Sequence, residues 1–155
     1  MAEAKDIDDS LDFLRYFEKN TENPELGGLI QEKISSDKKI LELNGCMLKN
    51  EDFKAIAGFD PIRNLKHLSL DQTGLGSTGL QSLCASDVFV NLEKLTLANN
   101  NLDDEAIFFL SKCAFLKRLE SLNISSNELT SLGAKVLSMT SKLSSLKYLD
   151  LSYNR

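Results

Sequence analysis

Leucine returns at a fixed interval over most of the chain. Four segments share one apolar pattern: LKHLSLDQTGL from Leu65, LEKLTLANNNL from Leu92, LESLNISSNEL from Leu119 and LKYLDLSYNR from Leu146. A fifth, KKILELNGCML from Lys38, keeps every apolar position except the first. Each start lies 27 residues after the previous one, without insertion or deletion. A period of roughly 20–50 residues indicates a repeat architecture, in which neighbouring units bury one another's apolar faces.

The spacing within each period predicts a strand followed by a helix. Positions 4 and 6 of the period are apolar and alternate with polar positions, as in a half-buried strand. Positions 16 and 19 are apolar at helical spacing. Cap-forming or acidic residues precede them, at Asn50–Glu51, Ser77–Thr78, Asp103–Asp104 and Thr130–Ser131. We expect positions 1, 4, 6, 11, 16, 19 and 25 to form one stacked core.

The repeated unit resembles the leucine-rich repeat, LxxLxLxx(N/C)xL, and its length resembles the ribonuclease-inhibitor-like subclass. The resemblance implies an α/β fold, a right-handed solenoid with a parallel β-sheet on the concave face and α-helices on the convex face. It covers residues 38–155, with four full repeats starting at 38, 65, 92 and 119 and a truncated fifth from 146.

Position 9 of the repeat carries a polar side chain that, in this family, binds the turn closing each coil. Its occupants are Cys46, Thr73, Asn100, Asn127 and Asn154. An asparagine amide offers both donors and an acceptor, whereas cysteine and threonine can do only part of this task. We therefore expect the turns of the first two repeats to be held more loosely.

Residues 1–37 lack the strand motif and predict a helical N-terminal cap. Leu14 and Phe17 belong to one amphipathic pattern, and Pro24 opens a second that contains Leu26 and Leu29. The second pattern is in register with the helices of the repeats, so we expect a repeat that kept its helix and lost its strand. The cap carries ten acidic and four basic residues, whereas residues 38–155 carry thirteen and fourteen.

Composition excludes several classes of partner and site. The net charge of −5 disfavours nucleic-acid binding. The longest apolar run, residues 106–110, is far shorter than a membrane span of about 20 residues, and residues 1–10 do not resemble a secretory signal. A single histidine, His67, and the absence of a CxxC motif argue against a metal site, and no cofactor is expected. We expect the three cysteines to be free thiols in a reducing, cytoplasmic compartment.

No catalytic motif is present, so we expect a protein that is not an enzyme. His67, Ser69 and Asp71 alternate along one predicted strand and share a face. A catalytic triad also needs a pocket and an oxyanion site, which an open sheet surface does not offer.

The resemblance implies a non-catalytic interaction module that binds a protein partner through the concave sheet. Tyr148 and Tyr153 are the strongest contact candidates, because tyrosine is enriched where interface energy concentrates. A convex contact is possible at Phe108, although this phenylalanine and Phe109 could instead tuck between adjacent helices. The predicted concave residues are Ile40, Glu42, Asn44, His67, Ser69, Asp71, Lys94, Thr96, Ser121, Asn123, Tyr148, Asp150 and Tyr153.

Two alternatives remain open at this point. The repeats could be the scaffold of a larger enzyme or enzyme regulator, such as a GTPase activator or a ligase, whose active part lies beyond residue 155. They could also self-associate edge to edge, because the predicted last strand, residues 147–151, has nothing stacked on it.

Overall fold

Each 27-residue period folds into one short strand and one helix. The computed structural model describes residues 9–155, and residues 1–8 of the predicted cap lie outside this range. The elements are α1 (Asp9–Asn20), α2 (Leu26–Lys33), β1 (Ile40–Glu42), α3 (Asn50–Ala57), β2 (His67–Ser69), α4 (Gly76–Cys84), β3 (Lys94–Thr96), α5 (Asp104–Leu110), β4 (Ser121–Asn123), α6 (Ser131–Met139) and β5 (Tyr148–Asp150).

The five strands form one parallel sheet in chain order, with a helix after each of the first four. Every strand pairs with its neighbour at an offset of one repeat, so Ile40 faces His67, His67 faces Lys94, Lys94 faces Ser121 and Ser121 faces Tyr148. The helices pack side by side from α3 to α6. The chain is therefore an α/β solenoid, as the repeat predicts.

The repeated apolar positions form the core between sheet and helices. At position 4 of the repeat, Leu41, Leu68, Leu95 and Leu122 are at most 1% exposed, because the next repeat covers each of them. Leu149 holds the same position in β5 and is 40% exposed. The core prediction is confirmed for the first three repeats. It weakens in the fourth repeat, where Ala134 is exposed, and in the truncated fifth, where Leu149 is exposed.

The position-9 asparagines bind the turn of the preceding repeat as well as their own. Asn100 Oδ1 accepts from the backbone N–H groups of Thr73 and Leu75, at 3.0 and 3.1 Å. Its Nδ2 donates to the carbonyl oxygen of Leu70 at 2.7 Å. The second repeat therefore gains its missing bonds from the third. The expectation that Thr73 leaves its turn loose is wrong, because it assigned each side chain to its own turn alone.

The N-terminal helices continue the two layers in a way that the sequence did not predict. Helix α1 packs against α3 and so extends the convex helix layer, whereas α2 packs against α1 and β1. Ile34, which follows α2, forms an antiparallel bridge with Leu41. The expected packing of α2 as a repeat helix is not seen, because α1 rather than α2 makes the main contact with α3.

A buried carboxylate joins this segment to the first repeat. Asp52 in α3 is fully buried and accepts hydrogen bonds from Thr21 Oγ1 at 2.5 Å and from Asn23 Nδ2 at 3.4 Å. It also accepts from the backbone N–H of Lys49 at 2.9 Å, which caps the helix. A buried charge is stable only when it is hydrogen-bonded in this way, so Asp52 fixes the loop after α1 against α3.

Cys84 and Cys113 form a disulfide, so the prediction of three free thiols is wrong. Cys84 ends α4 and Cys113 follows α5, and their Cα atoms are 4.7 Å apart because adjacent repeats stack. Disulfides are rare in proteins of the reducing cytosol. The prediction of a cytoplasmic location, which depended in part on free thiols, loses that part of its support and stays a prediction. Cys46 alone remains a free thiol among the described residues.

No helix within residues 9–155 combines the length and apolar character that crossing a bilayer requires.

Candidate functional site

The predicted concave residues lie on one face of the sheet, in rows that cross the strands. Strand register places Ile40, His67, Lys94, Ser121 and Tyr148 in one row. It places Glu42, Ser69, Thr96, Asn123 and Asp150 in the next. Side chains two apart on a strand point to the same side. The structure thus brings together ten of the thirteen predicted residues in two rows.

Side chains just after the strands mainly bind backbone. Asn44 Oδ1 accepts from the backbone N–H of Asp71 at 2.9 Å, and Asp71 Oδ1 accepts from that of Ala98 at 2.7 Å. These bonds tie each strand end to the next repeat. Asn44 and Asp71 therefore help to hold the face together, with fewer free atoms for a partner.

A chain of hydroxyl groups runs across the first three strands. Ser69 Oγ donates to Asn44 Oδ1 at 2.7 Å, which uses its only hydrogen. Ser69 Oγ also lies 2.6 Å from Thr96 Oγ1, so Thr96 must be the donor in that pair. In this row of hydrogen bonds, Thr96 Oγ1 can still accept a hydrogen bond from a partner, and Asn44 Nδ2 can still donate one.

Charges along the edge of the face, just before the strands, are mostly paired between neighbouring repeats. Lys66 Nζ lies 2.6 Å from Glu93 Oε1, and Lys147 Nζ lies 2.8 Å from Glu120 Oε2. The hydrogen bond from Lys66 is the main cause that lowers the pKa of Glu93 below its usual range. These four residues offer little net charge to a partner.

Three charged or titratable side chains on the face lack such a partner among the described residues: Glu42, His67 and Lys94. Together with Ile40, Ser69 and Thr96 they line a depression of about 100 Å³ across β1, β2 and β3. Within residues 9–155, no hydrogen bond joins His67 to Ser69 or Asp71. The serine–histidine–aspartate alternation therefore does not form a triad.

The other end of the face is aromatic. Tyr148 is 56% exposed and Tyr153 is 85% exposed. The hydroxyl group of Tyr148 donates to Asp150 Oδ2 at 3.5 Å. Hydrogen bonds from the Ser152 side chain and backbone, and from Tyr148, lower the pKa of Asp150, so this carboxylate is charged. Two exposed rings beside a carboxylate form the second candidate contact area.

On the convex side, Phe108 is 46% exposed, whereas Phe109 is half-buried. Lys112 Nζ lies 3.7 Å from the centre of the Phe108 ring, a cation–π contact on the helix surface. The sequence left two interpretations open, an exposed contact or packing between helices. Phe109 fits the packed interpretation, and Phe108 fits the exposed one.

Sequence reasoning missed the conformation of position 8. Gly45, Gln72, Asn99, Ser126 and Tyr153 all have positive φ, between 54° and 72°. The left-handed region favours glycine and asparagine, which occupy two of the five positions. That signal was available in the sequence. Tyr153 shares this conformation, and its ring is 85% exposed.

Comparison with known protein families gives one result. A family model described as leucine-rich repeat matches residues 62–84, 117–138 and 142–155. No curated protein matches the chain. Leucine-rich repeats are generally protein-interaction modules and are typically non-catalytic. Together with the 27-residue register of the five strands, these three matches support a leucine-rich repeat protein.

Proposed function

We propose that the chain is a non-catalytic interaction module that binds a protein partner through the concave face of its sheet. The observation that carries this proposal is the row arrangement of the side chains from five strands, in register and open on one side. A face with exposed tyrosines, a few free charges and hydroxyl groups has the mixed character of protein interfaces.

The two ends of the face support this function in different ways. Tyr148 and Tyr153 supply large exposed rings, which commonly carry interface energy. Glu42 and Lys94 supply charges that form no hydrogen bond or ion pair within residues 9–155, and His67 supplies a ring nitrogen donor. Nucleic acid and membrane are not expected partners, because the chain is acidic overall.

Affinity capture with the intact chain tests the proposal. The double variant Tyr148→Ala/Asp150→Ala should recover much less of the partner that the unmodified chain captures. The double variant Lys54→Ala/Gln81→Ala, on exposed convex positions of α3 and α4, should recover it normally. Equal recovery by all three proteins would eliminate the concave face as the binding surface.

Three finer predictions belong to the same proposal. Residues 1–37 act as a cap, supported by the packing of α1 on α3 and of α2 on β1. The 27-residue unit with a full helix supports the ribonuclease-inhibitor-like subclass. Phe108 stays a candidate convex contact. The alternative to this proposal, in which the repeats are the scaffold of a larger enzyme or enzyme regulator, stays a prediction as well.

A second candidate function is self-association through the β5 end of the solenoid. Leu149 is 40% exposed where its four counterparts are buried, and Leu143 and Leu151 line the same open surface. A second copy of the chain would cover these side chains. Light scattering at increasing concentration tests this: a dimer that Leu149→Ser abolishes supports it, and a monomer throughout overturns it.

A further inference from the structure

Near its N-terminal end, the concave face carries a charge arrangement that specifies a partner. The area consists of Ile40, Glu42, His67 and Lys94 and is called the β1–β3 patch below. The inference about it rests on the proposed binding function of the concave face.

The patch differs from the rest of the sheet surface because its charged side chains, Glu42 and Lys94, form no hydrogen bond or ion pair within residues 9–155. Lys66 and Lys147 have carboxylate partners at 2.6 and 2.8 Å, and Asp71 accepts a backbone N–H at 2.7 Å. Within residues 9–155, Lys94 has no such partner, and its side chain is exposed. An exposed cation attracts an anionic group of a partner, because complementary charges across an interface steer association and fix its register.

His67 adds a ring N–H donor to the ammonium group of Lys94, because the two residues lie side by side in strand register. Adjacent strands are about 4.8 Å apart, so one carboxylate can reach both side chains. The other charged groups near them are Lys66 and Glu93, which bind each other, and Lys39, which pairs with Asp37 at 3.6 Å. Glu93 also interacts electrostatically with His67, while its carboxylate accepts the hydrogen bond of Lys66. Donors therefore outnumber free acceptors on this side of the patch.

The opposite side of the patch favours an apolar group. Ile40 is 37% exposed and lies next to His67 on β1. Glu42, two residues along the same strand, repels a carboxylate from this side. An acidic side chain on the patch is therefore directed toward Lys94 and away from Ile40.

The spacing of these two sides fixes the pattern of the partner. Ile40 lies about 7 Å from the midpoint between His67 and Lys94, at a strand spacing of about 4.8 Å. In an extended peptide, residues two apart lie on the same side and are separated by about 6.6 Å. We propose that the β1–β3 patch binds an extended segment of a partner protein that carries an acidic residue two positions from an aliphatic one.

Peptide selection on the intact chain tests this, with a phage-displayed library of random nine-residue peptides as the probe. The unmodified protein should enrich peptides with Asp or Glu two positions from Leu, Ile or Val. The variant Lys94→Glu should enrich Lys or Arg at the acidic position. Lys54→Glu makes the same charge change on the exposed surface of α3 and should keep the acidic preference.

Affinity measurements on one selected peptide complete the test. By fluorescence polarisation, Lys94→Glu should weaken binding about tenfold, because attraction becomes repulsion. Replacing the acidic residue of the peptide with lysine should restore binding to that variant. Circular dichroism checks that both variants fold. A selection without an acid preference, equal loss in Lys94→Glu and Lys54→Glu, or no recovery with the lysine peptide would overturn the inference.

The proposed function and this inference can fail separately. If Tyr148→Ala/Asp150→Ala lowers capture of the partner while Lys94→Glu leaves it unchanged, the concave face binds and the β1–β3 patch does not take part. If neither variant lowers capture, both proposals are wrong.

Discussion

Replacing Asn127 with alanine should destabilise the fold far more than its small size suggests. Asn127 is only 8% exposed, and its Oδ1 accepts from the backbone N–H groups of Asn100 and Leu102, at 2.9 and 3.0 Å. Both of those residues are buried. An unsatisfied buried donor costs roughly 2 kcal/mol, so two of them predict a loss of about 4 kcal/mol. Domains of ordinary stability have about 5–15 kcal/mol in total.

Urea unfolding followed by circular dichroism measures this loss. Asn127→Thr is a graded comparison, because threonine occupies the same position of the repeat at Thr73 and donates there to the Leu70 carbonyl oxygen at 2.9 Å. We expect its loss to be intermediate. Asn64→Ala is the control, since Asn64 is exposed, and it should change stability by less than about 0.5 kcal/mol. A loss below about 1 kcal/mol for Asn127→Ala would refute the reasoning that this side chain binds the turns.

Three further predictions concern stability. The double variant Cys84→Ser/Cys113→Ser should lose about 3.5 kcal/mol in denaturant unfolding under oxidising conditions, from a sequence separation of 29, and an equal stability of both proteins would contradict a cross-link. Gln72→Asn should gain up to about 1 kcal/mol in thermal unfolding, because Gln72 has φ of 57° and asparagine tolerates the left-handed region better; a loss would contradict this. Asp104 accepts a hydrogen bond from Thr130 Oγ1 at 2.6 Å, and this bond is the main cause that lowers the pKa of Asp104 in the folded protein. The charged carboxylate therefore contributes to the free energy of unfolding above the unfolded-state pKa of about 3.9. That contribution is lost as pH falls through the lower folded-state pKa. Unfolding at several pH values should therefore show the advantage of the native protein over Asp104→Asn shrinking in acid, and an advantage that grows in acid would contradict the sign.

The sequence was sufficient to predict the α/β solenoid because the same apolar pattern occurs five times at an interval of 27 residues. The register of the leucines places each strand against the next at an offset of 27, and Leu41, Leu68, Leu95 and Leu122 are buried as predicted. The same register brings the concave residues into rows. A periodic pattern is informative in this way because each unit needs its neighbour to bury its apolar face.

Features that depend on contacts between repeats were harder to predict from the sequence. Cys84 and Cys113 have no characteristic spacing along the chain, and only stacking brings their Cα atoms to 4.7 Å. The bonds of Asn100 to the preceding turn depend in the same way on the neighbouring coil. The packing of the two N-terminal helices was also not predicted. It depends on contacts of α1 with α3 and of α2 with β1, and residues 1–37 lack the repeat motif that would indicate these contacts.

Site-specific photo-cross-linking tests the central claim, that the concave face is the surface that binds a protein. A benzoylphenylalanine at Ser121, in the middle strands of the face, is compared with one at Gln81, which is exposed on the convex side. We predict that the Ser121 position yields a cross-linked partner, which the Tyr148→Ala/Asp150→Ala variant diminishes, and that the Gln81 position yields none. A cross-linked partner from Gln81 and none from Ser121 would contradict the claim.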